Sequence, residues 1–257
     1  MNNIAQTFKN GKVLIPYITC GDPDLAVTAD VIKAVDQAGT DIIELGIPFS
    51  DPAGEHPIAQ RASARALMGG VTTDKVFSMA EKLKSEIKAP FVIMTYANVV
   101  FGYGTERFLK RCQETGIKGL LLPDVPFEEK DDFAPLCRKY GVELISMIAT
   151  SSGKRVRKIA SEAEGFLYGI AAPDATDSEE DVCSKLKAMI CEAKAANPQI
   201  PCCIDANGFE LEQIQEVLQF ADGIVIGAPL LQLLEEKGAE AVNPIREYIG
   251  RLKQVMG

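Results

Sequence analysis

Short apolar runs alternate with longer amphipathic stretches along the whole chain. Residues 13–19 (VLIPYIT) form the first run, and residues 25–38 form the first helical stretch, which stops at Gly39. Residues 41–45 (DIIEL) predict a second strand, closed by Gly46 and Pro48. Helices over 60–68 and 73–87 follow, separated by Gly69-Gly70, and then a third strand over 91–96. A helix over 106–115 stops at Gly116, and a fourth strand over 119–122 is closed by Pro123. Further along, the pattern predicts a helix over 128–140, strands over 142–148 and 166–170, and helices over 155–163 and 179–196. The last two strands fall at 201–204 and 223–226, joined by a helix over 210–220.

These strands are continuous apolar runs with no period-2 alternation, the pattern of strands covered on both faces, as parallel strands under helices are. Eight strand-helix units in 257 residues predict a single (β/α)8 TIM barrel, an α/β fold with parallel strands that takes residues 1–257 as one domain. A doubly wound open sheet is the second reading. It normally carries a Gly-rich phosphate fingerprint after its first strand, and residues 19–23 (TCGDP) are not one. In a barrel the chemistry is sought at the carboxyl ends of the strands.

One strand carries an acid in its apolar run. Glu44 is flanked by Ile42, Ile43 and Leu45, and a carboxylate there must be paired, protonated or functional, because burying it alone costs several kcal/mol or raises its pKa. Beyond it, on a loop with Pro and Gly, stands a second acid, Glu55, so a strand-end acid faces a loop acid in outline. His56, the only histidine, has no second histidine to complete a metal site and reads as a hydrogen-bonding loop residue; no metal is expected. Ser50 and Asp51 read as turn structure, since no base lies near in sequence to activate the serine.

Composition narrows the classes further. No apolar run is long enough to span a membrane, and the amino terminus, MNNIAQTFKNGK, lacks the apolar core of a secretory signal, which places the protein in the cytoplasm. Seven cysteines, an odd number without C-x-x-C spacing, agree with a reducing compartment and argue against disulfides and structural zinc. The formal net charge of −9 argues against nucleic acid and acidic membranes as partners. A small phosphorylated substrate stays admissible, because local backbone amides suffice to hold it.

Four segments, IPYITCGDPD (15–24), DIIELGIPFSDP (41–52), MTYANVVFGYG (94–104) and LLLPDVPFEE (121–129), resemble the alpha subunit of tryptophan synthase, in order and at matching spacing. The resemblance implies a (β/α)8 barrel that cleaves indole-3-glycerol phosphate by a retro-aldol reaction to indole and glyceraldehyde 3-phosphate. It also implies a hetero-oligomer in which the indole passes to a pyridoxal-phosphate-dependent beta subunit, with no cofactor on the alpha chain itself. Carried over residue by residue, the family's strand-two glutamate falls on Glu44 and its loop acid, usually aspartate, on Glu55; Tyr168 matches a tyrosine near the substrate, and also reads as a half-buried barrel tyrosine. Pro48, Asp51, Pro52, Asn98 and residues 124–126 match the family's partner-side loops.

The match fails where the family grips phosphate. Its Gly-Val-Thr-Gly segment corresponds here to Asp174, Ala175, Thr176 and Asp177, its Gly-Phe-Gly to Asp205, Ala206 and Asn207, and its Gly-Ser to Gly227 and Ala228. Only Thr176 and Gly227 are retained. A carboxylate of Asp177 or Asp205 about 5 Å from a phosphate charge costs roughly 3 kcal/mol at an effective dielectric near 20. The bland reading makes Asp177 or Ser178 the N-cap of the helix that follows, pointing away from the pocket. The resemblance therefore implies a lyase. A divergent relative with an altered phosphate site, serving as a non-catalytic partner or acting on an unphosphorylated substrate, is the alternative.

Overall fold

The structure, a computed structural model, describes residues 4–52, 54–172 and 178–256. Eight parallel strands pair in sequence order and close on themselves: β1 (Val13–Thr19), β2 (Ile43–Gly46), β3 (Phe91–Met94), β4 (Gly119–Leu121), β5 (Glu143–Ala149), β6 (Glu164–Ile170), β7 (Cys202–Asp205) and β8 (Gly223–Ile226). Closure runs through β1 and β8, from Val13 opposite Gly223 to Pro16 opposite Ile226. The barrel expected from the apolar runs is the one found. Helices wrap it in chain order: α1 (Ile4–Thr7), α2 (Leu25–Gln37), α3 (Pro57–Met68), α4 (Thr73–Leu83), α5 (Ala97–Tyr103), α6 (Thr105–Thr115), α7 (Ala134–Tyr140), α8 (Arg155–Glu162), α9 (Glu179–Ala196), α10 (Leu211–Val217), α11 (Ala228–Lys237) and α12 (Val242–Met256). No helix among the described residues is long and apolar enough to cross a membrane.

Several boundaries differ from the sequence reading, each for a local reason. The second strand starts at Ile43 because the Asp41 side chain turns back to the barrel's amino end, where it accepts from Leu14 N (2.8 Å) and Lys253 Nζ (2.7 Å). The helix expected from residue 60 begins three residues earlier, with Pro57 at its first position, where a fixed φ and a missing N–H cost nothing. The helix expected over 128–140 is two pieces, a 3-10 segment Phe127–Asp132 and α7, since Pro135 cannot donate to a continuous helix. At Gly165 (φ +66°) the β5–β6 register shifts, and a Cβ there would lie 2.7 Å from Glu143 Oε2.

An ionic network fixes the helices that border the barrel mouth. Asp22, after β1, is fully buried and takes two hydrogen bonds at 2.8 Å from the Arg65 guanidinium of α3. Arg65 also bonds Glu235 of α11, which Arg61 grips with two further bonds of 2.8 Å. The loop bearing Glu55 runs into α3, and the chain leaving β8 runs into α11, so the network ties both approaches to the mouth together. Removing one member of a buried pair leaves an uncompensated charge. Arg65→Met is expected to cost about 3 kcal/mol or more in urea unfolding, and Asp22→Asn in the same chain to recover most of it. A loss below about 1 kcal/mol for the single variant contradicts this role.

Candidate active site

A cavity of about 690 Å³ opens at the carboxyl ends of the strands, walled by Phe49, Met94, Met147 and Ile170 and carrying Glu55, Tyr168 and Asp205. Its apolar walls suit a flat aromatic ring, and its polar groups come from strand ends β1, β3, β6 and β7 and from the loop after β2.

Glu44, in the middle of β2, pairs with Tyr17 on one side and Val92 on the other. It is 1% exposed, and neither carboxylate oxygen has a hydrogen-bond partner among the described residues. Burial pushes its pKa up to about 8, with the charges of Asp205 and then Glu55 adding to the shift, so the group is a neutral acid at pH 7. It does not line the cavity itself; when ionised, its charge raises the pKa of Tyr17 and Tyr168, which do line it.

Glu55 is held differently. Tyr96 Oη donates to its Oε1 at 2.9 Å and Tyr17 Oη to its Oε2 at 3.4 Å. Burial raises its pKa, and these two phenols oppose that by favouring the charged form. Tyr17 reaches Glu55 because glycines stand beside its ring at the end of β2 and just after β8: a Cβ on Gly46 would strike the phenol, and one on Gly227 would lie 2.9 Å from the ring. Phe49 stacks on Tyr96 with ring centroids 4.7 Å apart and so fixes the second phenol. Tyr17 and Tyr96 were missed as site residues in the sequence. The available signal was their position in the IPY and MTY motifs, at the ends of strands.

The remaining candidates divide between two groups. Tyr168, in β6, is buried and lines the cavity; its hydroxyl lies 3.5 Å from Asp205 Oδ2. Asp205 ends β7 on the cavity wall, its pKa raised by burial against the opposing Asn207 N–H, which donates at 2.9 Å. Asn207, Gly227 and Ala228 meet at the rim, where Asn207 Oδ1 accepts from Gly227 N (2.8 Å) and Ala228 N (2.6 Å). Thr176 and Asp177, with Asp174, lie outside the described residues. The N-cap of α9 is Ser178, which shares reciprocal bonds with Asp181, so the cap needs no contribution from residue 177. His56 caps α3, accepting from Ile58 N at 3.3 Å through Nδ1. Ser50 donates to Asp51 within the turn (2.9 Å), and Asp124 accepts from Ala97 N at 3.0 Å, capping α5.

The comparisons with known proteins agree with one another. A family profile described as tryptophan synthase alpha chain matches residues 4–256. The tryptophan synthase alpha chain of Lacticaseibacillus casei is 37% identical over 98% of this chain and 95% of its own length, and that of Bacillus cereus (strain AH820) is 36% identical over 99% and 98%. Among solved structures, the tryptophan synthase alpha chain of Legionella pneumophila superposes with a TM-score of 0.86 at 30% identity, covering 100% of this chain and 97% of that one. The tryptophan synthase complex of Pyrococcus furiosus gives 0.84 at 27% identity, covering 93% and 97%.

The raised pKa of Glu44 has a stability consequence with a definite sign. The folded state holds a proton that the unfolded chain releases above about pH 4.5, so folding loses stability as pH rises from 4.5 towards 8. Between pH 5 and pH 8 the penalty from this one group is on the order of 3 kcal/mol. In urea titrations across that range, Glu44→Gln is expected to lose correspondingly less stability than the native chain. Parallel curves for the two proteins contradict a neutral Glu44.

Proposed function

The chain belongs to the tryptophan synthase alpha chain family, and on that premise we propose that it is a carbon–carbon lyase that splits indole-3-glycerol phosphate into indole and glyceraldehyde 3-phosphate. The observation that carries the reading is a pair of acids held differently at the carboxyl end of the barrel: Glu44 buried, unpaired and with its pKa pushed up to about 8, and Glu55 on the cavity wall, bonded by two phenols that favour its charged form against burial. The reaction needs both. Glu55 takes the ring N–H proton while Glu44 gives its proton to ring carbon 3, forming the indolenine tautomer. The Glu44 carboxylate so produced removes the side-chain hydroxyl proton. The carbon–carbon bond breaks into the ring, the aldehyde leaves, and Glu55 returns its proton to the ring nitrogen. Both acids end as they began.

Glu44 reaches substrate by turning towards the cavity, and with no hydrogen bond to either oxygen that rotation breaks none. The apolar walls and the stacked Phe49–Tyr96 pair take the indole ring, with Tyr168 beside it. Glu55 carries one methylene more than the family's usual aspartate, and the two phenols fix where that longer arm ends. Placement matters here, since an error on the order of 1 Å can cost about 100-fold. A non-catalytic role is not favoured, because Glu55 stands on the cavity wall and Glu44 in the adjoining strand β2 is unpaired and free to turn. The cytoplasm is the proposed compartment. A pyridoxal-phosphate-dependent beta subunit is the proposed partner, consistent with the Pyrococcus furiosus neighbour being a tryptophan synthase complex, and it takes up the indole.

Indole release from indole-3-glycerol phosphate, followed with and without a beta subunit, tests the reading. Native protein is expected to turn over and Glu44→Gln to lose at least about 100-fold. In the native free enzyme kcat/KM is expected to fall as pH rises through about 8, where Glu44 loses its proton. No indole from the native complex, or a Glu44→Gln variant within about tenfold of native, overturns the assignment.

A further inference from the structure

His56 stands on the loop after β2, directly after Glu55 and directly before α3, and it lines the same cavity as Glu55 and Asp205. Four acids, Asp51, Glu55, Asp124 and Asp205, share that lining, and no Lys or Arg does among the described residues. His56 is therefore the one basic side chain on the described wall. Its ring is oriented by the helix it caps: Nδ1 accepts from Ile58 N at 3.3 Å, so the Nδ1 lone pair is taken and the ring proton sits on Nε2. No described residue accepts from that Nε2–H, and the side chain is exposed. The phenol protons on the same wall are already committed, since Tyr17 and Tyr96 donate to Glu55. Asp205, whose pKa burial raises, counts a charge on His56 among the influences that oppose the rise, so the imidazole lies within electrostatic reach of the end of β7.

We propose that His56 is a further substrate-binding residue, which donates from Nε2 to the anionic side chain of the substrate while the aromatic ring lies against the apolar walls. The proposal rests on the lyase reading for the identity of the substrate. An anion entering a cavity lined by four acids needs a donor there, and a hydrogen bond to a charged acceptor is roughly twice as strong as one between neutral groups. A neutral N–H suits this place better than an ammonium or guanidinium would. A fixed cation next to Glu55 would lower the affinity of its carboxylate for a proton, and Glu55 has to take one from the ring nitrogen. The loop presents both residues together: Glu55 N donates to Pro52 O at 3.1 Å, and Gln60 Nε2 of α3 donates to Glu55 O at 2.9 Å. Neighbouring residues of one braced turn thus meet the two ends of the substrate, Glu55 the ring N–H and His56 the side chain.

The test uses His56→Ser and His56→Thr, because both residues cap a helix amino terminus and both end short of the Nε2 position, so either one serves if the other fails to fold. KM for indole-3-glycerol phosphate is expected to rise at least about tenfold, with kcat falling less than about threefold. Affinity for indole, which has no side chain, is expected to stay within about twofold of native. A KM within about threefold of native overturns the proposal, as do equal losses for indole-3-glycerol phosphate and indole, which would mean that His56 only shapes the ring pocket. Glycerol 3-phosphate carries the charge of the side chain without the ring, and its binding needs no turnover. By titration calorimetry native protein is expected to bind it at least about tenfold more tightly than either variant. Equal affinities overturn the role of His56 even where the native enzyme turns over. The expected difference, beside a native complex that releases no indole, counts against the lyase reading and supports His56 as an anion-binding residue.

Discussion

A carboxyl group buried in β2 without a hydrogen-bond partner is the constraint on which the site depends. A parallel barrel covers both faces of every strand and commits its backbone donors to the neighbouring strands, so the sheet has no N–H to spare for Glu44. The inexpensive state of such a group is the protonated one, and the acids at Asp205 and Glu55 push it further that way. The fold therefore stores a proton at neutral pH, in a side chain that no hydrogen bond pins down. That is what an acid serving a ring carbon requires.

The second acid shows the opposite solution. Glu55 sits on a loop, where its position is not fixed by a sheet, and two phenols from strands β1 and β3 supply what the loop lacks. Those phenols depend on packing elsewhere: glycines at the end of β2 and just after β8 leave room for Tyr17, and Phe49 braces Tyr96. The Arg65 network holds the helices on either side of the mouth. Three carboxyl groups of the site thus sit in different surroundings: Glu44 with no donor, Glu55 with two phenols, Asp205 with a backbone amide and a more distant phenol.

Much of this was legible in the sequence. Unbroken apolar runs gave the parallel barrel, because a strand buried on both faces leaves no polar alternation. Glu44 stood out since an acid inside such a run is expensive. Tyr17 and Tyr96 did not stand out, for an aromatic in a strand reads as core until the loop that it touches is placed. The Asn207 bonds were invisible for a related reason: they join residues 20 and 21 positions apart, and only closure of β7 against β8 brings them together. Asp205 stood out by its match to the family's phosphate loop, but its contacts with Tyr168 and the Asn207 turn needed the fold.

The protonation state of Glu44 can be read directly, without substrate or partner. In isotope-edited infrared titration, with the Glu44→Gln protein as the subtracted reference, the account predicts a protonated carboxyl signal that persists at pH 7 and disappears as pH rises through about 8. A carboxyl that ionises below about pH 5, with the ordinary glutamates, would contradict it.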